Sequence, residues 1–247
     1  MKNFKKITKA KFFIFSKLLL VVLFTSTNSS ACYYGRKNKA TNLHNLNSYI
    51  VAFVSTKSHC KPEETDQKPS NECLKAKQSN KALVYHGLWS QDKKCLQKYI
   101  SHCSNEEFNF KKIDPNTLAE WKENEIKPSF IKSKWKKYGT CSGLTQYKYV
   151  KMNVKAIRKF SRSANEGLTL LLSKKSSDGI FDGVFYKDIQ EAILPSNPKS
   201  VYIRCMKDSA NTVEGIYILT DKFLKPTQTS EKETIQHECG EDIALII

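Results

Sequence analysis

Two short segments of this 247-residue chain stand out, one for a histidine suited to proton transfer and one for lysines and a tyrosine at helical spacing. The first is Tyr85-His86-Gly87-Leu88-Trp89-Ser90, at the end of an apolar run. A histidine there, followed by glycine, is expected at a sheet edge with its ring directed into a cleft. Imidazole is the side chain best suited to move protons near neutral pH, and Trp89 offers a flat face for a base or sugar. The alternative is a histidine beside a buried tryptophan with a structural role only. The second segment is Lys134-Trp135-Lys136-Lys137-Tyr138-Gly139-Thr140-Cys141. On a helix, Lys134 and Tyr138 stand at i and i+4 and project from one face, with Lys137 beside Lys134. Gly139 is expected to end that helix and Cys141 to tie it to another segment. The alternative is an amphipathic helix with a solvated lysine face and a buried Trp135.

Elements that position these residues follow from the pattern. Ser48–Ser55 is rich in β-branched and aromatic residues and predicts a buried strand. Residues 56–80, with Pro62 and Pro69, predict a loop, and Lys81–His86 a second strand running into the first segment. Asp114-Pro115 starts a helix through Trp121, and Pro128 starts another to about Tyr138. Thr145–Leu172 has helical periodicity, with Val150, Val154, Ile157 and Phe160 on one face. A turn region covers 177–183, a short helix covers Asp188–Leu194, and Lys199–Cys205 with Val213–Thr220 predict an antiparallel pair. Interleaved helices with a closing hairpin favour an α+β fold, a central antiparallel sheet flanked by helices. No internal repeat is present.

Composition bounds the function classes. Lys and Arg number 41 against 24 Asp and Glu, a formal charge of +17. Residues 1–31 hold six lysines and no acid, which leaves +11 on residues 32–247. That excess suits a polyanion such as RNA, DNA or an anionic membrane surface, or it reflects lysine used as a general solubiliser. The basic leader, the apolar run Phe12–Phe24 and Ser29-Ser30-Ala31 read as a cleaved export signal over 1–31. A retained anchor and a lipid-modified Cys32 are the other options; Lys17 leaves the apolar run short for a stable membrane span. The expected product is one domain over 32–247, exported to a periplasm or secreted, and monomeric. Eight cysteines, at 32, 60, 73, 95, 103, 141, 205 and 239, all lie beyond that signal. An even count in an exported chain predicts a disulfide framework. No CxxC spacing occurs, so neither a metal nor any other cofactor is assigned.

His-Gly-Leu-Trp at 86–89 and Gly-Thr-Cys-Ser-Gly at 139–143 closely resemble the two signature segments of the ribonuclease T2 (Rh/S-type) family. Strand 48–55 followed by Cys60, the helix start at Leu144–Tyr149, and Val201–Cys205 through Leu224-Lys225-Pro226 resemble the family's flanking parts. The likeness covers nearly all of 48–239. It implies a disulfide-bonded α+β ribonuclease fold acting on single-stranded RNA without metal. In that chemistry the 2′-hydroxyl attacks phosphorus to give a cyclic phosphate, one histidine serving as base and another as acid. A carboxylate and a lysine attend the charged phosphorane. It also implies bridges Cys103–Cys141, Cys205–Cys239 and Cys60–Cys73, with Cys32 and Cys95 left over.

His86 matches the first motif's histidine. The family's usual second motif is His-Glu-Trp-x-Lys-His-Gly-Thr-Cys, and this chain departs from it. Ser133 stands at the place of a phosphate-binding histidine, Lys134 at that of the glutamate, and Tyr138 at that of the second catalytic histidine. Ser90 stands where the first motif usually has proline. The residues carried over are His86 and Lys137 for catalysis, with Lys134 and Tyr138 as replacements there, and Trp89 and Ser133 for substrate. Losing a positioned acid or base costs about 10²- to 10⁴-fold in rate, whereas Lys134 would neutralise phosphorane charge. None of the remaining histidines, His44, His59, His102 and His237, lies on the second-motif helix. Three readings follow: a slow cyclising endoribonuclease using His86 with Tyr138 or Lys134, a non-catalytic relative that binds RNA or another partner through the cleft, and a cationic protein acting at anionic membranes.

Overall fold

The run Ser48–Ser55 forms strand β1, one of the two inner strands of the sheet. In the computed structural model, which describes residues 48–56, 81–91, 101–123, 127–177, 184–206, 209–228 and 239, β1 pairs antiparallel with β2 (Leu83–Gln91) and with β4 (Ser209–Asp221). Strand β3 (Val201–Met206) pairs with β4, so the four-stranded sheet has the order β2-β1-β4-β3. Both faces of β1 are covered, which is why its residues are apolar without alternation. The expected signal segment, Cys32, Cys60, Cys73, Cys95, His44, His59 and His237 lie outside the described residues.

Among the described residues, four α-helices accompany this sheet. Helix α1 (Pro115–Glu123) starts where the Asp114 carboxylate accepts the Thr117 N–H at 2.9 Å, with proline in the first turn. Helix α2 (Pro128–Lys137) also begins with proline. Helix α3 (Gln146–Ser177) runs five residues past the predicted end at Leu172, and α4 (Tyr186–Ile193) starts two residues before the predicted Asp188. The expected face of α3 is buried, but in two places. Val150 and Val154 pack with Ile113, Trp121 and Ile131. Phe160, Ala164 and Leu168 join Ile189 and Ile193 against Val51, Leu88, Ile203 and Ile218 of the sheet. The opposite sheet face carries a second layer of Ile50, Ala52, Trp89, Tyr202, Tyr217 and Leu219, closed by Tyr138.

Two bridges join cysteines expected to pair: Cys103–Cys141 and Cys205–Cys239. Two expectations need correction. Strand β2 does not stop at His86 but runs through the whole first motif to Gln91. Gly87 reads as a breaker in sequence, yet the strand accommodates it by bulging. Tyr85 faces Phe53 and Gly87 faces Ala52, so the ladder passes over His86. Gly87 takes φ +133°, a conformation that side chains disfavour. Helix α2 ends at Lys137 without a left-handed glycine. Gly139 opens a 3-10 turn (Gly139–Cys141), and a Cβ there would collide with the Trp135 ring. Its small size is required for packing, not for chain reversal.

Candidate active site

His86 is placed by an edge strand and its bulge, a common device for aiming a side chain out of a ladder. Opposite it, α2 presents Phe130, Lys134 and Tyr138 at successive i, i+4 positions. The Lys134 stem passes over Gly87; a Cβ there would lie 3.4 Å from Lys134 Cδ. Its ammonium reaches His86, with Nζ 3.2 Å from Nε2. The same ammonium stands 4.9 Å from the Phe130 ring centroid and 5.8 Å from that of Tyr138, so cation–π attraction holds it on both sides. Lys134 is only 8 % exposed. A lysine ammonium donates and cannot accept, so this contact suits the His86 tautomer that carries its proton on Nδ1. An N–H on both atoms would set two donors against one another.

Tyr138 is 1 % exposed and stacks on Trp89, with centroids 5.2 Å apart and planes at 27°. Tyr217 covers Trp89 at 5.2 Å from another side, and the His86 ring meets it edge-on at 6.0 Å. Trp89 is thus 7 % exposed, with the rings of Tyr138 and Tyr217 packed on it. Lys137 is half-buried with Nζ 5.2 Å from the Tyr138 centroid, and Ser133, one turn earlier, is exposed. The structure therefore brings His86, Trp89, Lys134 and Tyr138 into mutual contact through the chain His86–Lys134–Tyr138–Trp89. It sets Ser133 and Lys137 on the more open side of α2.

Several residues that hold this arrangement escaped sequence reasoning. Tyr149, near the start of α3, donates its hydroxyl to the Leu88 carbonyl at 3.0 Å and lies 3.4 Å from the Lys134 carbonyl. One buried phenol thereby fixes the first motif against the second. Burial holds its pKa well above the usual phenol value. Asn153 donates to the Tyr149 carbonyl and accepts from the Tyr85 hydroxyl, both at 2.8 Å. Tyrosines at i and i+4 from buried helix positions look like core, and their hydroxyls leave no periodic mark. His102 also meets the motif: its N–H donates to the Lys137 carbonyl at 2.8 Å, with φ +57°, next to the Cys103–Cys141 bridge. Among the described residues no cluster of three or more His, Cys, Asp or Glu side chains could hold a metal.

Burial pushes the Tyr217 phenol up to about 12, with Glu214 adding to the rise and Arg204 opposing it. The unfolded phenol titrates at about 10. Stability from keeping Tyr217 neutral is therefore intact below pH about 10 and lost as pH rises toward 12. Tyr85 and Tyr149, also raised, act in the same direction. A Tyr217→Phe variant should lose about 2–3 kcal/mol less stability over that span than the natural chain. Urea unfolding followed by circular dichroism on either side of pH 10 checks this; parallel losses in both proteins would contradict it.

Comparison with known proteins places this architecture. The ribonuclease NT structure, a complex with 5′-AMP, is 18 % identical with a TM-score of 0.52, covering 81 % of this chain and 98 % of that one. Ribonuclease MC1 from bitter gourd seeds is 15 % identical with a TM-score of 0.55, covering 79 % and 97 %. A ribonuclease-related protein from Calystegia sepium is 16 % identical with a TM-score of 0.52, covering 81 % and 97 %. At these identities the likeness speaks for the fold. No curated protein matches in sequence. The Ribonuclease T2 family model matches residues 47–239, a span that holds β1, both motifs and Cys239. The chain therefore belongs to the ribonuclease T2 family.

Proposed function

We propose that this protein is an exported, disulfide-stabilised binder of single-stranded RNA whose cleft lacks the acid–base pair of cyclising ribonucleases. One observation carries this reading: Lys134 Nζ stands 3.2 Å from His86 Nε2 while Tyr138 is buried against Trp89. A two-histidine mechanism needs one ring to take the 2′ proton and another to protonate the leaving 5′ oxygen. Here Nε2 of His86 is in hydrogen-bond contact with Lys134 Nζ. The phenol at 138 faces an indole rather than an open cleft. Lys134 reaches over Gly87 of the bulge and Lys137 stands on the more open side of α2, two cationic side chains that suit a phosphate diester. The formation of both described bridges fits an oxidising compartment, which supports export of residues 32–247 after removal of 1–31.

A second reading has support from the same contact. His86, unprotonated at Nε2, is formally a base, and the Lys134 ammonium beside it is formally an acid, so together they supply a slow cyclising pair. Binding and cleavage of a labelled single-stranded RNA, measured on the same disulfide-intact preparation from acidic to neutral pH, separate the two. The binding reading expects complex formation without cyclic-phosphate product. Product that disappears in a His86→Ala variant establishes the second reading instead.

A further inference from the structure

Helix α3 carries Lys148, Lys151, Lys155 and Lys159, spaced by three, four and four residues, so they form a single file along one side of the helix. All four are exposed. No acidic residue occurs between 146 and 165. The only polar contacts of these ammonium groups among the described residues are with neutral oxygens. Lys151 Nζ donates to the Tyr147 hydroxyl at 3.3 Å, and Lys159 Nζ to the Leu224 carbonyl at 2.7 Å. The neighbouring arginines differ. Arg158 pairs with Glu120 and Glu123 at 3.4 and 3.7 Å, and Arg162 with Glu166 at 2.7 Å. The lysine file keeps its charge where the arginines are neutralised.

The Lys159–Leu224 bond joins this file to the turn that follows β4. That turn is tightly determined. The Asp221 carboxylate accepts the N–H groups of Phe223 and Lys225 at 2.8 and 2.9 Å, and the Asp221 N–H donates to the Lys225 carbonyl at 2.9 Å. Leu224, at φ +64°, is fully buried and anchors the turn in the core. Phe223 is held outward, 66 % exposed, with Lys222 Nζ 5.1 Å from its ring centroid. Four cations over about 16 Å of helix thus lead to a rigidly presented aromatic ring. A backbone-tracking line of positive charge with an aromatic platform is the combination that holds single-stranded nucleic acid.

We propose that Lys148, Lys151, Lys155, Lys159 and Phe223 form a second RNA-binding surface, separate from the cleft. The apolar side of α3 packs on the sheet face that carries Val51, Leu88 and Ile218. Trp89, Tyr138 and Tyr217 lie on the opposite face. A strand longer than the cleft holds would run its phosphates along the lysine file and stack a base on Phe223. A bilayer is the poorer partner for this surface, because the apolar face of α3 is already buried in the core and cannot enter lipid.

The test uses the full, disulfide-intact chain and two variants, Lys148→Gln/Lys151→Gln/Lys155→Gln and Phe223→Ser; Lys159 is kept because it holds the turn. Each phosphate contact to a single strand contributes about 0.7 to the salt slope, so the triple variant should lower the slope for a strand of about 16 nucleotides by about 2. Loss of stacking in the Phe223 variant should weaken that strand by about 5- to 150-fold. A strand of about four nucleotides, probing the cleft, should bind all three proteins equally. If the natural chain binds both strands and the triple variant matches it in slope and affinity, the second surface is wrong and the cleft reading stands. If the short strand does not bind the natural chain while long-strand binding falls in both variants, the second surface stands and the cleft reading is wrong. A triple variant that keeps RNA affinity but no longer binds phosphatidylserine vesicles makes this a membrane face and overturns the proposal.

Discussion

A Lys134→Glu/Tyr138→His variant should cleave single-stranded RNA about 10²- to 10⁴-fold faster than the natural chain, the range that a positioned acid or base is worth. Two physical changes produce the gain. Removing the ammonium 3.2 Å from His86 Nε2 frees that nitrogen to exchange protons with substrate, and a carboxylate in its place favours the imidazolium. Replacing the buried phenol supplies a second group that titrates near neutrality. Each single change should do little. Lys134→Glu alone still lacks a second histidine, and Tyr138→His alone leaves Lys134 against His86, so the pair should be strongly non-additive. The readout is cyclic-phosphate product against pH, with a bell-shaped profile for the double variant. Equal rates for the natural chain and the double variant, both abolished by His86→Ala, would sink the reading of the cleft as a binding site.

The second large effect belongs to the Cys103–Cys141 bridge. It closes a loop with a sequence separation of 38, for which chain entropy alone predicts about 4 kcal/mol of stabilisation. A Cys103→Ser/Cys141→Ser variant should melt about 10 °C lower, read by circular dichroism. The bridge also secures the second motif. On either side of it, the His102 N–H holds the Lys137 carbonyl at 2.8 Å, and Trp135 Nε1 donates to the Glu106 carbonyl at 3.1 Å. The Cys205–Cys239 bridge closes a loop of similar length, separation 34, against β3. Removing it should cost similar stability but leave affinity for a short RNA intact, whereas removing Cys103–Cys141 should weaken that affinity as well. Equal RNA binding in both variants would separate the bridge from the site.

Much of the scaffold was legible because burial leaves a pattern. Ser48–Ser55 is apolar throughout, since both of its faces are covered, and α3 shows its buried face as Val150, Val154, Ile157 and Phe160. The bridges Cys103–Cys141 and Cys205–Cys239 were expected through family resemblance, since eight cysteines cannot be paired from spacing alone. The site was legible in part. His86 and Lys134 stood out by type, but their contact depends on a bulge opposite Ala52 that no residue pattern announces. Tyr138 and Trp89 share an aromatic layer with Tyr217, nearly eighty positions downstream of Tyr138, a contact that no local pattern marks. Tyr149 was hidden for a related reason: hydroxyl bonds to the carbonyls of Leu88 and Lys134 depend on three-dimensional proximity, to which local periodicity is blind.

The bulge in β2 has a consequence for how this molecule changes over evolutionary time. Alternation along a strand normally couples every residue to its neighbours, because inserting or deleting one shifts which side chains face the core. The ladder passes over position 86, and this extra residue lets Leu83 and Tyr85 before it and Leu88 after it face the same core. Reactivity at this point is a replaceable part mounted on a fixed frame. The side chain at 86 lies outside the strand pairing, so exchanging it breaks no ladder hydrogen-bond pair of β1 and β2.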